Sequence, residues 1–446
     1  MNFELSYGSH LAAKLERTQS YLQRCGQPAL LISSGVQEPI FQDDYYHPFV
    51  VNPFFKEWLP LLNVPNCYLL IRQNGRPSLF FHKPVDIWHK VSDLPEAFWV
   101  THFDILEYSE PQQLNTLLSG LLSALGEPSL FIGLAAAIPD VSGVEWLHND
   151  SAVLNHLKYY RARKSEYERQ SIEQANAQAA QCHTAAKEAF MAGACEFEIN
   201  KAYIGALNLR EHELPYGNII AVNENAAILH YTHLQTEALH RSRSFLIDAG
   251  FSVNGYAADI SRSYCREQGE AASCFQNLID ELDKAQLALI DELKPGMHYL
   301  DAHKDMHRRV GDILHAADIL KVDGESALAE GITGKFLPHG LGHLLGVQVH
   351  DLGGWQQNEM GDISEPPSEH PYLRLNRELE EDMVITVEPG IYFIEPLLAE
   401  LKSSSQSVCV NWDLLDSLRP FGGIRIEDNV AISANGNQNY TRKFLP

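Results

Sequence analysis

At 446 residues, with 45% hydrophobic and 21% charged side chains, the chain is long enough for two or three domains, and its composition excludes a disordered protein. A formal net charge of −24 repels phosphate backbones, which argues against nucleic acid as a general partner and leaves carboxylates to hold cations. No stretch is long and apolar enough to span a bilayer, and the start Met1-Asn2-Phe3-Glu4 lacks the basic and apolar regions of a secretory signal, so a cytoplasmic protein without membrane association is expected.

Residues 1–160 read as a small α/β domain. A helix is expected from Ser9 to Cys25, stopped by Gly26. Strand-like runs follow at Ala29–Ser33, Cys67–Arg72, Ser78–His82 and Ser129–Gly133, with helical stretches such as Gln112–Leu125 between some of them. The seven cysteines, Cys25, Cys67, Cys182, Cys195, Cys265, Cys274 and Cys409, are scattered and form no CxxC pair. They predict structural buried thiols rather than disulfides or a thiolate zinc site.

The texture changes near residue 160. Leu157–Arg163 is basic and polar, and Ser165 with Glu168 forms a capping-box pair ahead of a long helical stretch to Met191. Over 161–446 further helices are expected at 196–212, 271–293 and 300–316, and strands at 217–222, 244–253, 383–388 and 423–432. A glycine- and histidine-rich turn region spans 334–354. The class is α+β, with polar clusters at strand ends. Gln356–Pro371 is polar and proline-bearing, and reads as a lid or rim, or else as a surface insertion.

Four clusters carry chemistry. Asp248 ends an apolar run, a turn with Asn254-Gly255 favours a hairpin, and Asp259 lies on the returning arm. Two aspartates in an apolar β-rich segment are costly unless paired or bound to metal. Pro338-His339-Gly340-Leu341-Gly342-His343 continues to Val349-His350-Asp351, so three imidazoles reach one region over small residues. His339 and His343 have zincin spacing, but Gly340 stands where the HExxH glutamate would be, which rules that mechanism out. Spacing alone leaves open which histidine is a ligand. Glu388, fixed by Pro389-Gly390, ends the apolar run from Met383, and Arg425 with Glu427 share one face of a strand. Each cluster alone has an ordinary alternative, such as a turn cap or an Arg-Glu ion pair. Together, four carboxylates and a neutral imidazole balance two divalent cations and form a hard donor set that suits Mn, Co, Fe or Zn, Mn especially.

These clusters resemble the pita-bread metallopeptidase family, with the region from about residue 165 similar to its catalytic fold and the earlier part similar to the smaller creatinase/prolidase N-terminal domain. Within the family the chain looks like the Xaa-Pro dipeptidases, close to the organophosphorus acid anhydrolases. It does so through His230-Tyr231, Pro338–His343, Val349-His350-Asp351, Thr386–Gly390 and Gly422–Asn429. One departure is Ser261, where many relatives carry threonine. The resemblance implies metal roles for Asp248, Asp259, His343, Glu388 and Glu427, with Asp259 and Glu427 bridging two ions per subunit. It further implies hydrolysis of Xaa-Pro dipeptides by an activated hydroxide, with Glu388 taking its proton, His350 stabilising the oxyanion, and His339 and Arg425 orienting the ligands. Arg374 is nominated to hold the proline carboxylate, and His230 and Tyr216 to wall the pocket. A core histidine at 230 and a plain surface arginine at 374, countering Glu378 and Glu380, are the alternatives. A homodimer with the aromatic stretch Phe41–Trp58 at the pocket rim is also implied. The rivals are an aminopeptidase P acting on longer peptides, a metal-free binding protein of the same fold, and a phosphotriester hydrolase.

Overall fold

The computed structural model describes residues 3–122, 127–237 and 239–446. They divide into two compact units, Met1–Leu157 with Ser165–Gln170, and Lys158–Lys164 with Ser171–Pro446.

In the first unit, helix α1 (Phe3–Cys25) starts upstream of the expected Ser9. Tyr7, Leu11, Thr18 and Leu22 are buried at helical spacing, so the helix continues past Ser9, which faces the exposed side and does not cap it. Gly26 ends the helix at φ 71°, a conformation in which a Cβ is strained. The sheet joins β1 (Ala29–Ser33), β2 (Tyr68–Arg72), β3 (Ser78–His82), β4 (Asp104–Tyr108), β5 (Ser129–Ile132) and β6 (Trp146–His148) in the order β4-β3-β2-β1-β5-β6. The β1–β2 and β2–β3 pairs are antiparallel and the other three parallel. The central β1 is buried throughout, as a strand covered on both faces must be. After the short helix α2 (Pro53–Lys56), α3 (Pro111–Leu122) lays Leu114, Leu118 and Leu122 against Leu31, Leu70 and Phe80. Residues 123–125 of the expected 112–125 helix lie outside the described residues. Helix α4 (Ser151–Arg161) leads out of the domain. The 41–58 stretch exposes Phe41, Tyr45, Tyr46 and Val50, while Phe55 and Trp58 are buried.

The Ser165–Glu168 box forms as read: the Ser165 N–H donates to Glu168 Oε2 at 2.7 Å and the Glu168 N–H to Ser165 Oγ at 3.4 Å, starting α5 (Glu166–Ala192). In the second unit α6 covers Glu196–Gly205 only. The expected continuation to 212 fails because Asn208 turns the chain at φ 53°, and a single 3-10 turn follows at Glu211–Glu213. The strands are β7 (Ile219–Val222), β8 (Ser244–Asp248), β9 (Phe251–Val253), β10 (Tyr256–Ala258), β11 (Ser261–Cys265), β12 (Val384–Val387), β13 (Gly390–Tyr392), β14 (Gly423–Arg425), β15 (Asp428–Ala431) and β16 (Gln438–Asn439). Two runs expected as single strands are split. Residues 244–253 divide because β8 pairs with β7 and β11 while β9 pairs with β10, and 423–432 divide because β14 pairs with β13 and β15 with β12 and β16. The gaps between the split halves, and the residues just past strand ends, carry the polar clusters. Helices α7 (Glu270–Glu292) and α8 (Tyr299–Ala316) cover these sheets, with Leu278, Leu282, Met306 and Val310 in one core with Ile385, Val387, Ile424 and Val430.

All seven thiols are free. Cys67, Cys182 and Cys195 are buried as expected, but Cys25, on the last turn of α1, is exposed. Among the described residues no helix is long and apolar enough to cross a membrane.

The basic segment at 157–163 ends in the interior rather than on a solvated linker. Asp351 accepts from Arg161 at 2.6 Å and from Lys164 at 2.9 Å, with all three side chains at most 1% exposed. Asp351→Asn keeps the shape but leaves two buried cations short of a counter-charge. It is expected to cost about 3–5 kcal/mol, read as a lower denaturation midpoint in urea.

Candidate metal centre

The first arm of the site is the hairpin. Asn254 and Gly255 take φ 54° and 85°, the left-handed pair of a type I′ turn joining β9 to β10. Ser261 on β11 sits opposite Asp248 on β8, and Asp259 lies two residues before Ser261, on the same side of the chain by strand alternation. Gly250 lets the backbone pass, since a Cβ there would run into the Ala258 carbonyl and the Tyr216 ring. Asn429 fixes Asp259 from behind, accepting from its N–H at 3.0 Å and donating to its carbonyl.

The second arm is the glycine-rich turn. His339 to His343 is not helical, so the zincin spacing has no helix to act on. The segment instead runs alongside β12: the Thr386 N–H donates to the His343 carbonyl at 2.9 Å and the Glu388 N–H to that of Leu341 at 2.7 Å. The His343 N–H donates to Thr386 Oγ1 at 3.1 Å. Gly342 permits this approach, because a Cβ would strike the Thr386 carbonyl. His343 Nδ1 donates to the Leu344 carbonyl at 3.0 Å. Its Nε2 then faces Asp259 Oδ2 at 3.4 Å and Glu388 Oε1 at 3.7 Å.

Glu388 directly follows β12, and Glu427 lies between β14 and β15. Glu427 Oε2 accepts from Ser261 Oγ at 2.9 Å. Arg425 does not pair with Glu427 in the Arg-Glu manner considered for an exposed sheet. Its guanidinium donates to Asp248 Oδ2 at 2.7 Å, to Ser261 Oγ at 3.0 Å and to the Tyr392 hydroxyl at 2.9 Å. The Tyr392 hydroxyl lies 2.9 Å from His339 Nε2, and His339 Nδ1 lies 2.9 Å from the Gly340 carbonyl. Burial first, then Arg425, pulls His339 down to about 4. It is a neutral acceptor at the end of a chain running Arg425 to Tyr392 to His339.

Asp248, Asp259, His343, Glu388 and Glu427 thus converge from five separate segments. Asp259, His343 and Glu427 are at most 5% exposed. Burial lifts Asp248 to about 6, reinforced by Asp259 and opposed by Arg425, and lifts Glu388 to about 7. Glu427 is pushed well above the usual carboxylate range, by burial and then Asp259. Burial also acts against the charge on Asp259, but His343 and Tyr216 hold it low.

The donor set fits cations on three observations. Against the pull of burial, Asp259 and Glu388 raise the pKa of His343, so the place its Nε2 faces favours a positive charge. The Tyr216 hydroxyl has one proton but sits against both Asp248 Oδ1, at 2.8 Å, and Asp259 Oδ1. Glu427 Oε1 is buried with no hydrogen-bond partner among the described residues, which is costly unless something else fills that place. All the donors are carboxylate or imidazole, a hard set without thiolate.

Of the remaining candidates, Tyr216, read as a pocket wall, sends its hydroxyl onto the carboxylates. His230 is exposed after a 3-10 turn, which removes the core-histidine alternative. Its charge bears on both His339 and His350. His350 is exposed, with its ring perpendicular to that of His343 at 4.5 Å. Arg374 is exposed and near enough to His350 to help hold it unprotonated. Glu380, one of the carboxylates it was weighed against, pairs with Arg377 and Arg163 instead. Sequence alone gives Tyr392 no place in the site, and Asn429, the last residue of the Gly422–Asn429 motif, no role. Gly390 and Gly423 were the available signal for Tyr392, because a Cβ at either would collide with its ring. The Gln356–Pro371 loop is a surface excursion pinned by Asn376, which donates to the Ser364 and Glu365 carbonyls at 3.1 and 2.9 Å.

Comparison with known proteins agrees with this geometry. Residues 170–434 match the model of metallopeptidase family M24, and residues 5–159 match that of the Xaa-Pro dipeptidase N-terminal domain. Similar curated proteins include an Xaa-Pro dipeptidase of Aeromonas hydrophila, 45% identical over 98% of both chains, and one of Pseudoalteromonas atlantica, 44% identical over 98% of this chain and 97% of the relative. Escherichia coli aminopeptidase P with the inhibitor Pro-Leu superposes at a TM-score of 0.73 with 22% identity, covering 99% of this chain and 95% of that one. At that identity the likeness speaks for the fold, and the expected α+β pita-bread architecture with a smaller N-terminal domain holds.

Proposed function

The chain belongs to metallopeptidase family M24, in its Xaa-Pro dipeptidase branch, and from that membership we propose that it hydrolyses dipeptides with C-terminal proline at the Asp248–Asp259–His343–Glu388–Glu427 centre. The observation that carries this reading is the buried convergence of four carboxylates and one imidazole, with an exposed arginine, Arg374, close enough to act on His350.

These five residues would hold two divalent cations, and their hard donor set favours Mn. Bound there, such ions polarise the scissile carbonyl and supply hydroxide at neutral pH. The chain's own residues do the rest. Glu388, whose Oε1 faces His343 at 3.7 Å, is placed within the centre to take a proton and release it to the departing proline nitrogen. His350 offers a ring nitrogen to the oxyanion. Arg425 and the Tyr392 hydroxyl hold Asp248 and His339 in place, the kind of support that fixes ligand geometry. Arg374 reads the proline carboxylate. An Xaa-Pro bond has no N–H, so a site that reads the carbonyl and the chain terminus loses nothing by its absence.

Phe41, Tyr45, Tyr46 and Val50, all exposed, support a homodimer buried through that stretch. A cytoplasmic location agrees with seven free thiols.

The test is Ala-Pro hydrolysis by chelator-stripped protein, before and after adding Mn2+. If the cations supply about 4 kcal/mol or more of transition-state stabilisation, stripping lowers the rate by roughly 10³-fold and Mn2+ restores it. Full activity in the stripped protein, or none after any divalent ion is returned, overturns the reading.

A further inference from the structure

A second group of imidazoles lies outside the centre described above. His303 and His307 stand one turn apart on α8 and so share a face of the helix. His370, from the end of the Gln356–Pro371 loop, closes on them. The ring centroids are 4.5 Å apart for His303–His307, 4.4 Å for His303–His370 and 5.0 Å for His307–His370. One nitrogen can be taken from each ring so that all three lie within 4.8 Å of one another. Together they line a cavity of about 260 Å³ that also reaches Glu369 and His339.

Ordinary packing does not account for this group. His303 is 1% exposed, and neither of its ring nitrogens has a hydrogen-bond partner among the described residues. Buried polar atoms are satisfied in the great majority of cases, so a fully buried imidazole with two empty nitrogens points to a missing partner. His307, 2% exposed, places Nδ1 3.0 Å from Thr333 Oγ1, and among the described residues no hydrogen bond is made by its Nε2.

We propose that His303, His307 and His370 form a separate binding site for one zinc-class divalent ion, which ties the end of the 356–371 loop to α8. Three imidazoles with no thiolate suit Zn2+ and its borderline neighbours. At Zn–N lengths of about 2.0–2.1 Å, tetrahedral nitrogens stand about 3.4 Å apart, so the rings need only draw inward from their present spacing. Glu369 or water completes the set. The rings are also ready as ligands: burial, then the neighbouring imidazoles, holds His303 well below its ordinary range and His307 at about 3. At neutral pH no proton has to leave before an ion binds. Lys304, next to His303 in sequence and adding a positive charge near His370, weakens the site without occupying its nitrogens.

The experiment counts zinc in full-length, chelator-stripped protein equilibrated with Zn2+ and desalted. His370→Gln, a half-buried position, is expected to hold one zinc fewer per chain than the parent. The comparison is repeated in an Asp259→Asn, Glu427→Gln background, where the parent is expected to keep one zinc that His370→Gln removes. In that background Zn2+ should also slow amide exchange across 356–371, and His307→Gln should abolish the protection. An unchanged zinc count on His370→Gln in both backgrounds overturns the site. Because the second background lacks the main carboxylate centre, failure of the dipeptidase reading would leave this difference standing.

Discussion

Glu427→Gln is expected to reduce kcat/KM for Ala-Pro by about 10³-fold or more while leaving the metal-free protein as stable as the parent. Glu427 is 2% exposed, with Oε2 held by Ser261 and Oε1 buried without a partner. Burial and the neighbouring carboxylates push it well above the usual range, which in the metal-free chain favours the neutral acid, the form that an amide imitates. The substitution therefore removes no charge that the empty fold relies on. With cations bound, a carboxylate that would hold them is replaced by an amide. The loss of a ligand anion is worth at least about 4 kcal/mol at 1.36 kcal/mol per decade of rate. Thermal melts without metal, metal content after Mn2+ loading and Ala-Pro kinetics are measured together. A purely structural glutamate would lower the metal-free melting temperature and activity alike; the metal reading requires activity and metal content to fall with the metal-free melt unmoved.

Much of the site was legible because its residues break local rules. Asp248 and Asp259 stand in apolar strand sequence, and Glu388 ends a run, Val384–Val387, that is buried throughout. Such placements are costly without a partner, so the sequence marks them. The histidine assignment was not legible from spacing. His343 is singled out by its Nδ1 bond to the Leu344 carbonyl and by the two carboxylates facing Nε2, both tertiary facts. The strand breaks at 249–250 and 426–427 were missed for a related reason. Hydrophobic alternation continues through them, and only the change of pairing partner ends each strand. The Tyr392 link between Arg425 and His339 was also hidden, since its sequence trace is two glycines that make room for a ring. The three-histidine cavity under the 356–371 loop joins residues 303 and 370, which are remote along the chain, and the sequence reading had treated that loop as a lid, rim or insertion.

If Arg374 holds the proline carboxylate as proposed, its removal should separate two substrates that differ only at one end. Arg374→Ala is expected to lower kcat/KM for Ala-Pro by roughly 30- to 5000-fold, the range given by about 2–5 kcal/mol for a lost charge-assisted contact. It should change hydrolysis of Ala-Pro amide by less than about threefold, because an amide gives the guanidinium no charge to hold. The geometry supports this split: Arg374 is exposed, Glu380 is taken by Arg377 and Arg163, and the charge of Arg374 reaches His350. Arg374→Lys should recover part of the loss, since an ammonium supplies the charge but not the planar fork that matches a carboxylate. Equal losses on acid and amide would mean that Arg374 shapes the pocket instead of reading the terminus. Dipeptide preference would then have to come from a wall that blocks longer chains, and the arginine variant would still reject them.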